Sequence, residues 1–219
     1  MFGSFDFGIL LANAPFLWNG MLLTLQLTAL AVTGGLLLGV VLAVLRLSPI
    51  KPLAWVVEAY VNFLRSMPLI LVIFWFYTLV PKLIGRPVSG FYSVLIAFVM
   101  FEAAYYSEII RAGISSVRRG QISAAMALGL TKMQSMRYVI LPQAVRNMVP
   151  VLLTQSIVML QDTSLVYVVG LRDFLTSADI VASRDNRPTE LYMFVAIVFL
   201  VICFSASRLA NQLRRRYSL

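Results

Sequence analysis

Long uninterrupted apolar stretches dominate the chain, and they predict five membrane-spanning helices. No charged residue occurs from position 7 to position 45, and a helix needs only about 20 apolar residues to cross the hydrocarbon core of a bilayer. The predicted spans lie near residues 17–45, 60–80, 91–110, 147–169 and 191–207. Pro15 is expected to separate a short interfacial piece from the first span, and Pro81 to end the second. We therefore expect an all-α integral membrane protein with a single transmembrane domain over residues 1–219.

The first predicted span carries small residues at every fourth position. Gly35, Gly39 and Ala43 share one helical face, and small residues at this spacing form a groove in which another helix can approach closely. The alternative is a Gly-rich helix that faces only lipid.

Composition narrows the possible functions. The chain is 60% hydrophobic and 12% charged, which is about half the charged fraction of an ordinary soluble domain. It has no histidine, the commonest general base and metal ligand. Its one cysteine, Cys203, lies in an apolar stretch and is expected to pack rather than react. The sequence contains no Gly-x-x-x-x-Gly-Lys-Ser/Thr phosphate loop. We therefore do not expect an enzyme, nor a nucleotide bound by this chain.

The distribution of basic residues predicts the orientation. With the N-terminus outside, twelve Lys and Arg residues fall on the cytoplasmic side and five on the other, as the positive-inside rule favours. The C-terminus and the loop 111–146 are then cytoplasmic, and the tail 208–219 is expected to anchor the topology rather than to dock a partner. The N-terminal stretch lacks a basic n-region and is longer than an h-region, so we expect no signal-peptide cleavage.

Residues 119–147 form a basic segment that has no acidic residue. The pattern predicts two short amphipathic helices joined by a turn. Gly129 can adopt a positive φ and end the first helix. Thr131 and Gln134 have the spacing of a capping box for the second. Pro142 disfavours a helical conformation at the residue before it.

This helix pair allows two interpretations. Ala124, Ala125 and Leu128 are expected to lie on one side of the first helix, which would then be buried in a membrane interface or in a partner. A helix-turn-helix DNA reader has a similar pattern. A short loop between two spans, however, supplies no third packed helix. We therefore expect a protein partner or the membrane interface, and no nucleic acid.

The segment resembles the signature loop of ABC-importer permease subunits. In that family Glu-Ala-Ala-x-x-x-Gly is followed, after nine residues, by Ile-x-Leu-Pro. Here the matching residues are Ser123-Ala124-Ala125, Gly129 and Val139-Ile140-Leu141-Pro142, with Ser123 in place of the family's Glu. The stretches YVNFLRSMPLILVIFWFY, FEAAYYSEIIRAGI and LQDTSLVYV resemble polar amino-acid permeases, and together they are most similar to the smaller permease subunit of glutamate/aspartate importers.

The resemblance implies a type I ABC-importer permease of the bacterial inner membrane that works by alternating access. In such importers two homologous permease subunits sit on a dimer of ATP-binding subunits, which hold ATP and Mg²⁺, so this chain itself carries no cofactor. A periplasmic binding protein delivers the amino acid, and lipid surrounds the spans. The short helix of the loop docks on the ATP-binding subunit. The residues implied in this coupling are Ser123, Ala124, Ala125, Leu128, Gly129, Thr131 and Pro142.

Ionisable residues within spans are candidates for the transport pathway, because a charge inside a membrane is costly. Arg65 is expected either to snorkel to the headgroups or pair with Glu58, or to serve a gate, with Pro68 loosening the helix just beyond it. Ser66 is placed to satisfy a backbone carbonyl that the proline frees.

Asp162 is the leading candidate for contact with substrate. Its carboxylate can hold the ammonium group of an amino acid, while Thr163, Ser164 and backbone N–H groups bind the other end. The alternative is a helix-end cap. Glu102 is expected either to face the pathway or to pair with a cation of a partner chain. Glu108 is expected to reach the cytoplasmic headgroups in a structural role.

An ion-coupled secondary amino-acid carrier is the alternative transport class. Such carriers often show paired halves with broken helices. This chain is short, has an odd number of predicted spans and shows no evident internal repeat, so we favour the permease.

Overall fold

The computed structural model describes residues 8–217, with side chains described up to residue 212. All secondary structure in this part of the chain is helical. The ten α-helices are α1 (Gly8–Ala12), α2 (Ala14–Arg46), α3 (Lys51–Arg65), α4 (Leu69–Ile84), α5 (Gly90–Ser115), α6 (Arg119–Ala127), α7 (Lys132–Ser135), α8 (Leu141–Asp162), α9 (Phe174–Asp185) and α10 (Pro188–Tyr217). The start of the N-terminal stretch, discussed above for signal cleavage, and the side chains of the last basic residues lie outside this description.

Four of the described helical stretches are long and apolar enough to cross a membrane: Ala14–Arg46, Gly90–Ser115, Lys132–Val169 and Pro188–Gln212. The pair α3 and α4 gives a fifth when it is counted as one bent span. The spans extend beyond the predicted ends, because their terminal turns include polar residues that a count of apolar positions leaves out. Pro15 lies in the first turn of α2, after a break at Asn13 that separates α1 from it.

The second predicted span differs from a straight helix over 60–80. Its two helices meet at an angle of 106°, with the chain turning between Arg65 and Leu69. The prediction that Pro81 ends this span is wrong. The helix runs on to Ile84 and ends at Gly85, whose φ is +71°.

α5 is the central helix, and α2, α3, α4 and α8 all pack against it. The largest core cluster contains buried apolar side chains from all five helices. One example from each helix is Leu27, Val61, Ile73, Phe98 and Met159. Close packing of these side chains holds the five helices together through many small dispersion contacts.

The predicted groove on α2 receives α5. A Cβ added at Gly35 would lie 2.7 Å from the Glu102 Cβ, and one added at Gly39 would lie 2.7 Å from the Tyr106 Cβ. Ala43 continues the same face and is buried. The prediction of a helix-packing groove is confirmed, and the lipid-only alternative is wrong for this face.

Two irregular helical segments adjoin α8. Met136–Ile140 forms a π-helical stretch before it, and Thr163–Val169 forms a 3₁₀-helix after it. The helix therefore continues through Leu141, contrary to the expectation from Pro142. Pro142 directly follows the π-helical stretch, in which the N–H of Leu141 donates to the Met136 carbonyl five residues back. This wider turn lets the helix continue past the position where proline supplies no N–H.

α9 was not predicted. Asp173 caps its start, since the Asp173 carboxylate accepts hydrogen bonds from the backbone N–H groups of Leu175 at 3.2 Å and Thr176 at 3.0 Å. Burial raises the pKa of this carboxyl, and the hydrogen bonds oppose that rise. The buried face of α9, which includes Ala178 and Val181, packs with α2 and α10.

Candidate functional site

The turn between α6 and α7 is built on a left-handed glycine. Gly129 has φ +83°, a conformation that residues with a Cβ adopt at a cost. The N–H of Gly129 donates to the Met126 carbonyl at 3.0 Å, and the N–H of Leu130 donates to the Ala125 carbonyl at 3.2 Å. These bonds satisfy carbonyls at the end of α6. The predicted role of Gly129 in ending the first helix is confirmed.

A reciprocal capping box starts α7. The N–H of Gln134 donates to the Thr131 hydroxyl at 3.3 Å, and the N–H of Thr131 donates to the Gln134 side-chain oxygen at 2.8 Å. This confirms the predicted box. With the Gly129 turn, it fixes the geometry of the helix pair, by which we mean residues 119–135.

The helix pair exposes apolar side chains and is anchored by others. Leu128 is 83% exposed and Met133 is 76% exposed. Ala125 is buried, whereas Ala124 and Leu128 are exposed, so the side of α6 that carries these three residues is only partly covered by this chain. Ser123, Gly129, Thr131 and Pro142 are also exposed.

A small apolar cluster packs the helix pair against the ends of three spans. It contains Ala43 of α2 and Ile110 of α5 together with Val117, Ile140 and Ala144, and Ile122 of α6 packs against it. The helix pair is therefore packed against the ends of α2, α5 and α8.

Beside this anchor, an ionic cluster ties α2, α3 and α5 together. Glu108 accepts from Arg46 at 2.5 Å and from Arg111 at 2.5 Å, and Arg46 also pairs with Glu58 at 3.1 Å. Arg65 lies 3.9 Å from Glu108 and above the ring of Tyr105. The expectation that Arg65 pairs with Glu58 is therefore wrong. Glu108 has a structural role, as expected, but through three arginines of its own chain rather than through headgroups.

Arg65, Ser66 and Pro68 meet at the break between α3 and α4. The Ser66 hydroxyl donates to the Asn62 carbonyl at 2.8 Å, and the Ser66 backbone N–H donates to the same carbonyl at 3.0 Å. The expectation that the hydroxyl satisfies a carbonyl freed by Pro68 is therefore wrong. Pro68 has φ −61° and precedes α4 in an extended conformation. Because proline has no N–H, it cannot continue the hydrogen bonding of α3. The break between α3 and α4 is thus specified by the local sequence.

Glu102 lies in the interior, with 0% of its surface exposed. Its Oε1 accepts from Gln155 Nε2 of α8 at 3.0 Å, while Oε2 has no hydrogen-bond partner among the described residues. One turn along α5, the hydroxyls of Tyr106 and Ser156 lie 3.0 Å apart. Glu102 is therefore hydrogen-bonded to a residue of its own chain. One of the two expectations had been pairing with a cation of a partner chain.

Asp162 is half-buried at the end of α8, and in the described structure its side chain makes no capping hydrogen bond. The hydroxyls of Thr163 and Ser164 donate to the carbonyls of Leu160 at 2.7 Å and Gln161 at 2.8 Å. The structure does not support the helix-cap alternative. Gln155 and Asp162 are seven residues apart, so they share one face of α8.

Sequence reasoning missed several residues of these clusters. Arg46, Arg111, Gln155, Tyr106 and Ser156 were not singled out, although all carry polar groups in or at the ends of predicted spans. The seven-residue spacing of Gln155 and Asp162 was the available signal. Within the described residues, no group of three or more His, Cys, Asp and Glu side chains could hold a metal ion.

A bundle of long apolar helices with one broken span and buried polar contacts between spans is the architecture of a polytopic membrane protein. The chain belongs to the family described as binding-protein-dependent transport system inner membrane component, which matches residues 35–219. It is a multi-pass protein of the inner membrane.

Individual relatives agree with this assignment. The chain is 50% identical over 219 residues to the glutamate/aspartate import permease protein GltK of Escherichia coli O6:H1 (strain CFT073), covering 97% of this chain and 98% of GltK. It is 37% identical over 208 residues to the probable glutamine ABC transporter permease protein GlnM of Bacillus subtilis (strain 168), covering 95% and 96%.

Solved structures share the fold. One described as an amino acid ABC transporter with histidines superposes with a TM-score of 0.92 at 37% identity, covering 97% of this chain and 99% of that chain. An inward-facing form of the MetNI methionine ABC transporter gives a TM-score of 0.78 at 20% identity, covering 95% and 99%. The fold is that of a type I ABC-importer permease.

Proposed function

We propose that the chain is the smaller permease subunit of an importer for glutamate or aspartate, driven by ATP hydrolysis on a partner subunit. The 50% identity to GltK over nearly the whole of both chains supports this substrate class. An ion-coupled secondary carrier would need no such partner, and membership of a binding-protein-dependent family argues against it.

The observation that supports this proposal most strongly is the geometry of the helix pair and the exposure of its apolar side chains. The Gly129 turn and the capping box hold it in one shape, and Leu128 and Met133 project from it without cover from this chain. Exposed apolar side chains on a rigid helix pair with basic residues at its edges are suited to binding in a groove of a protein partner. In our proposal that partner is the dimer of ATP-binding subunits, which binds ATP and Mg²⁺.

The seven coupling residues have distinct roles in this proposal. Buried Ala125 holds α6 against the rest of the chain, Gly129 and Thr131 determine the conformation of the turn, and Pro142 lies at the start of α8. Ser123, Ala124 and Leu128 face the partner, with Ser123 replacing the family's Glu. The exposed positions of these three side chains support that assignment.

The orientation in this proposal places the N-terminus outside, and the C-terminus and residues 111–146 in the cytoplasm. Support comes from two groups of basic residues, those of the ionic cluster and those of the helix pair. Both groups lie at the end of the bundle that contains the apolar cluster around Ala43 and Ile110. That concentration of Arg and Lys is what the cytoplasmic side favours.

The transport pathway in this proposal runs past Asp162 and the α3–α4 break. The half-buried carboxylate, which makes no capping bond, remains able to receive a substrate ammonium group. Thr163 and Ser164 would rotate from their present carbonyl partners to meet the substrate carboxylate. Arg65, Ser66 and Pro68 form the hinge that lets α4 move against α3.

The remaining partners are a second homologous permease subunit, a periplasmic binding protein and the surrounding lipid. A side-chain carboxylate on the substrate needs a cation, and the second permease is the expected source of an arginine. Neighbouring polytopic chains and lipid also account for the many apolar side chains exposed on this chain alone.

The test is ATP hydrolysis by the complete complex, purified through a tag on this chain and reconstituted with its binding protein. We expect glutamate and aspartate to stimulate hydrolysis more than glutamine, arginine or cystine. Stimulation by a neutral or basic amino acid alone would contradict the substrate class. Purification of this chain without a nucleotide-hydrolysing subunit would contradict the coupling role.

A further inference from the structure

Two polar contacts join α5 to the second half of α8 in a largely apolar core. Gln155 donates to Glu102, and the hydroxyls of Tyr106 and Ser156 are within hydrogen-bond distance, both at 3.0 Å. A hydrogen bond in such a low-dielectric environment is stronger than the same bond in water. These contacts can therefore fix how α8 is rotated about its axis.

The backbone of α8 by itself leaves that rotation weakly determined. Pro150 lies inside the helix and removes one bond of its ladder. The hydroxyls of Thr154 and Ser156 donate back to the carbonyls of Pro150 and Leu152, at 3.0 Å each, an arrangement that bends helices. The segment after Pro150 thus depends on side-chain contacts for its orientation.

Asp162 is carried by this same segment. It lies seven residues beyond Gln155, which is about 10 Å along the helix axis and close to two full turns. A change of one residue in the register of α8 against α5 would turn Asp162 by about 100°. The Gln155–Glu102 contact and the direction of Asp162 are therefore set together.

We propose that Glu102 and Gln155 are a positioning pair that aims Asp162 at the substrate, and so sets the affinity of the pathway for an amino-acid ammonium group. This inference rests on the proposed function of Asp162. Glu102 is fully buried, so the pair acts through α8 and not by touching the substrate. Oε2 of Glu102 has no hydrogen-bond partner in the described structure, so loss of the Gln155 amide removes the bond that α8 makes to this carboxyl group.

The test compares uptake kinetics of Gln155→Ala and Glu102→Gln in the reconstituted complex with its ATP-binding subunits and binding protein. In Gln155→Ala we expect KM for glutamate to rise by about tenfold, the equivalent of one strong hydrogen bond, with the maximal rate changed by less than about twofold. Glu102→Gln keeps a carbonyl that accepts from Gln155, so its KM should remain within about twofold of wild type.

Gln155→Asn is the second variant, because its amide is one methylene too short to reach Glu102, while it leaves a smaller gap than alanine. Asp162→Asn is measured in parallel. Unchanged KM in both Gln155 variants, with KM raised in Asp162→Asn, would overturn the positioning pair alone. Unchanged KM in Asp162→Asn would remove the proposed role of Asp162 and the pair with it. Failure of both Gln155 variants to assemble would also overturn the inference, since the pair would then serve folding.

Discussion

Gly129 occupies the most demanding backbone position of the helix pair. A residue with a Cβ pays about 1–2 kcal/mol to adopt its left-handed conformation, and a β-branched side chain is the least suited of all. Nothing else crowds the site, because an added Cβ would meet no atom within 4 Å. The conformation of the turn, and not packing, is therefore what a substitution would change.

Replacing Gly129 with valine should uncouple transport while leaving membrane insertion intact. We expect substrate-stimulated ATP hydrolysis and uptake to fall by at least about tenfold, because α6 and α7 would meet at another angle; 1.4 kcal/mol corresponds to a factor of ten. Gly85→Val is the matched control, since Gly85 also has a positive φ and open space around it but follows α4. Wild-type uptake in Gly129→Val would contradict the coupling role.

At this scale, local chemistry could be predicted and long-range partners could not. The Gly129 turn and the Thr131–Gln134 box involve residues next to each other in sequence, so their spacing identifies them. The partner of Glu102 is 53 positions away in α8. Nothing in the sequence around either residue indicates which helices meet or at what register.

At the scale of the elements, the contact between α2 and α5 organises the bundle. Gly35 and Gly39 let the two helices approach so closely that a Cβ would clash with the Cβ atoms of Glu102 and Tyr106. Both of these α5 residues also contact α8 through hydrogen bonds. The small-residue face of α2 thus positions the polar contacts on which the pathway depends.

Gly39→Leu should separate α2 from α5 and destabilise the protein. Overpacking a core commonly costs about 1–3 kcal/mol, and about 2–4 °C of melting temperature is lost per kcal/mol in a chain of this size. We expect the melting temperature of the detergent-purified protein to fall by about 5 °C. Val40→Leu, at a neighbouring position that is exposed, should leave the melting temperature unchanged. Equal melting temperatures for both variants would refute the close approach.

The predictions of helices succeeded where the length of an apolar run determines the helix. They failed where contacts with other helices determine it. Charge-free runs gave the long spans. Arg65, Ser66 and Pro68 marked a weak point in the second predicted span but not a bend of 106°, because the size of the bend depends on how α3 and α4 pack against α5. α9 lies in a short, charged connection that resembled a loop, and its helical state depends on the Asp173 cap and on the contacts of Ala178 and Val181 with neighbouring helices.

For the whole molecule, many large apolar side chains are exposed, as in a chain surrounded by lipid or by other chains. Large apolar side chains such as Leu37, Val44 and Leu200 are exposed along the spans, which suits lipid or a second permease. The sequence could predict this class from composition and the family from the loop motif. It could not identify which surface meets which partner, because exposure exists only in the folded chain.

The central claim is that the helix pair docks on a cytoplasmic ATP-binding subunit, and site-directed cross-linking tests it most directly. In a Cys203→Ala background, which removes the only native cysteine, Leu128→Cys and Leu83→Cys place one thiol each at side chains that are 83% and 85% exposed. With a thiol-to-amine cross-linker applied to the assembled complex, Leu128→Cys should form an adduct with the ATP-binding subunit and Leu83→Cys should not. An adduct at Leu83→Cys with none at Leu128→Cys would contradict the account.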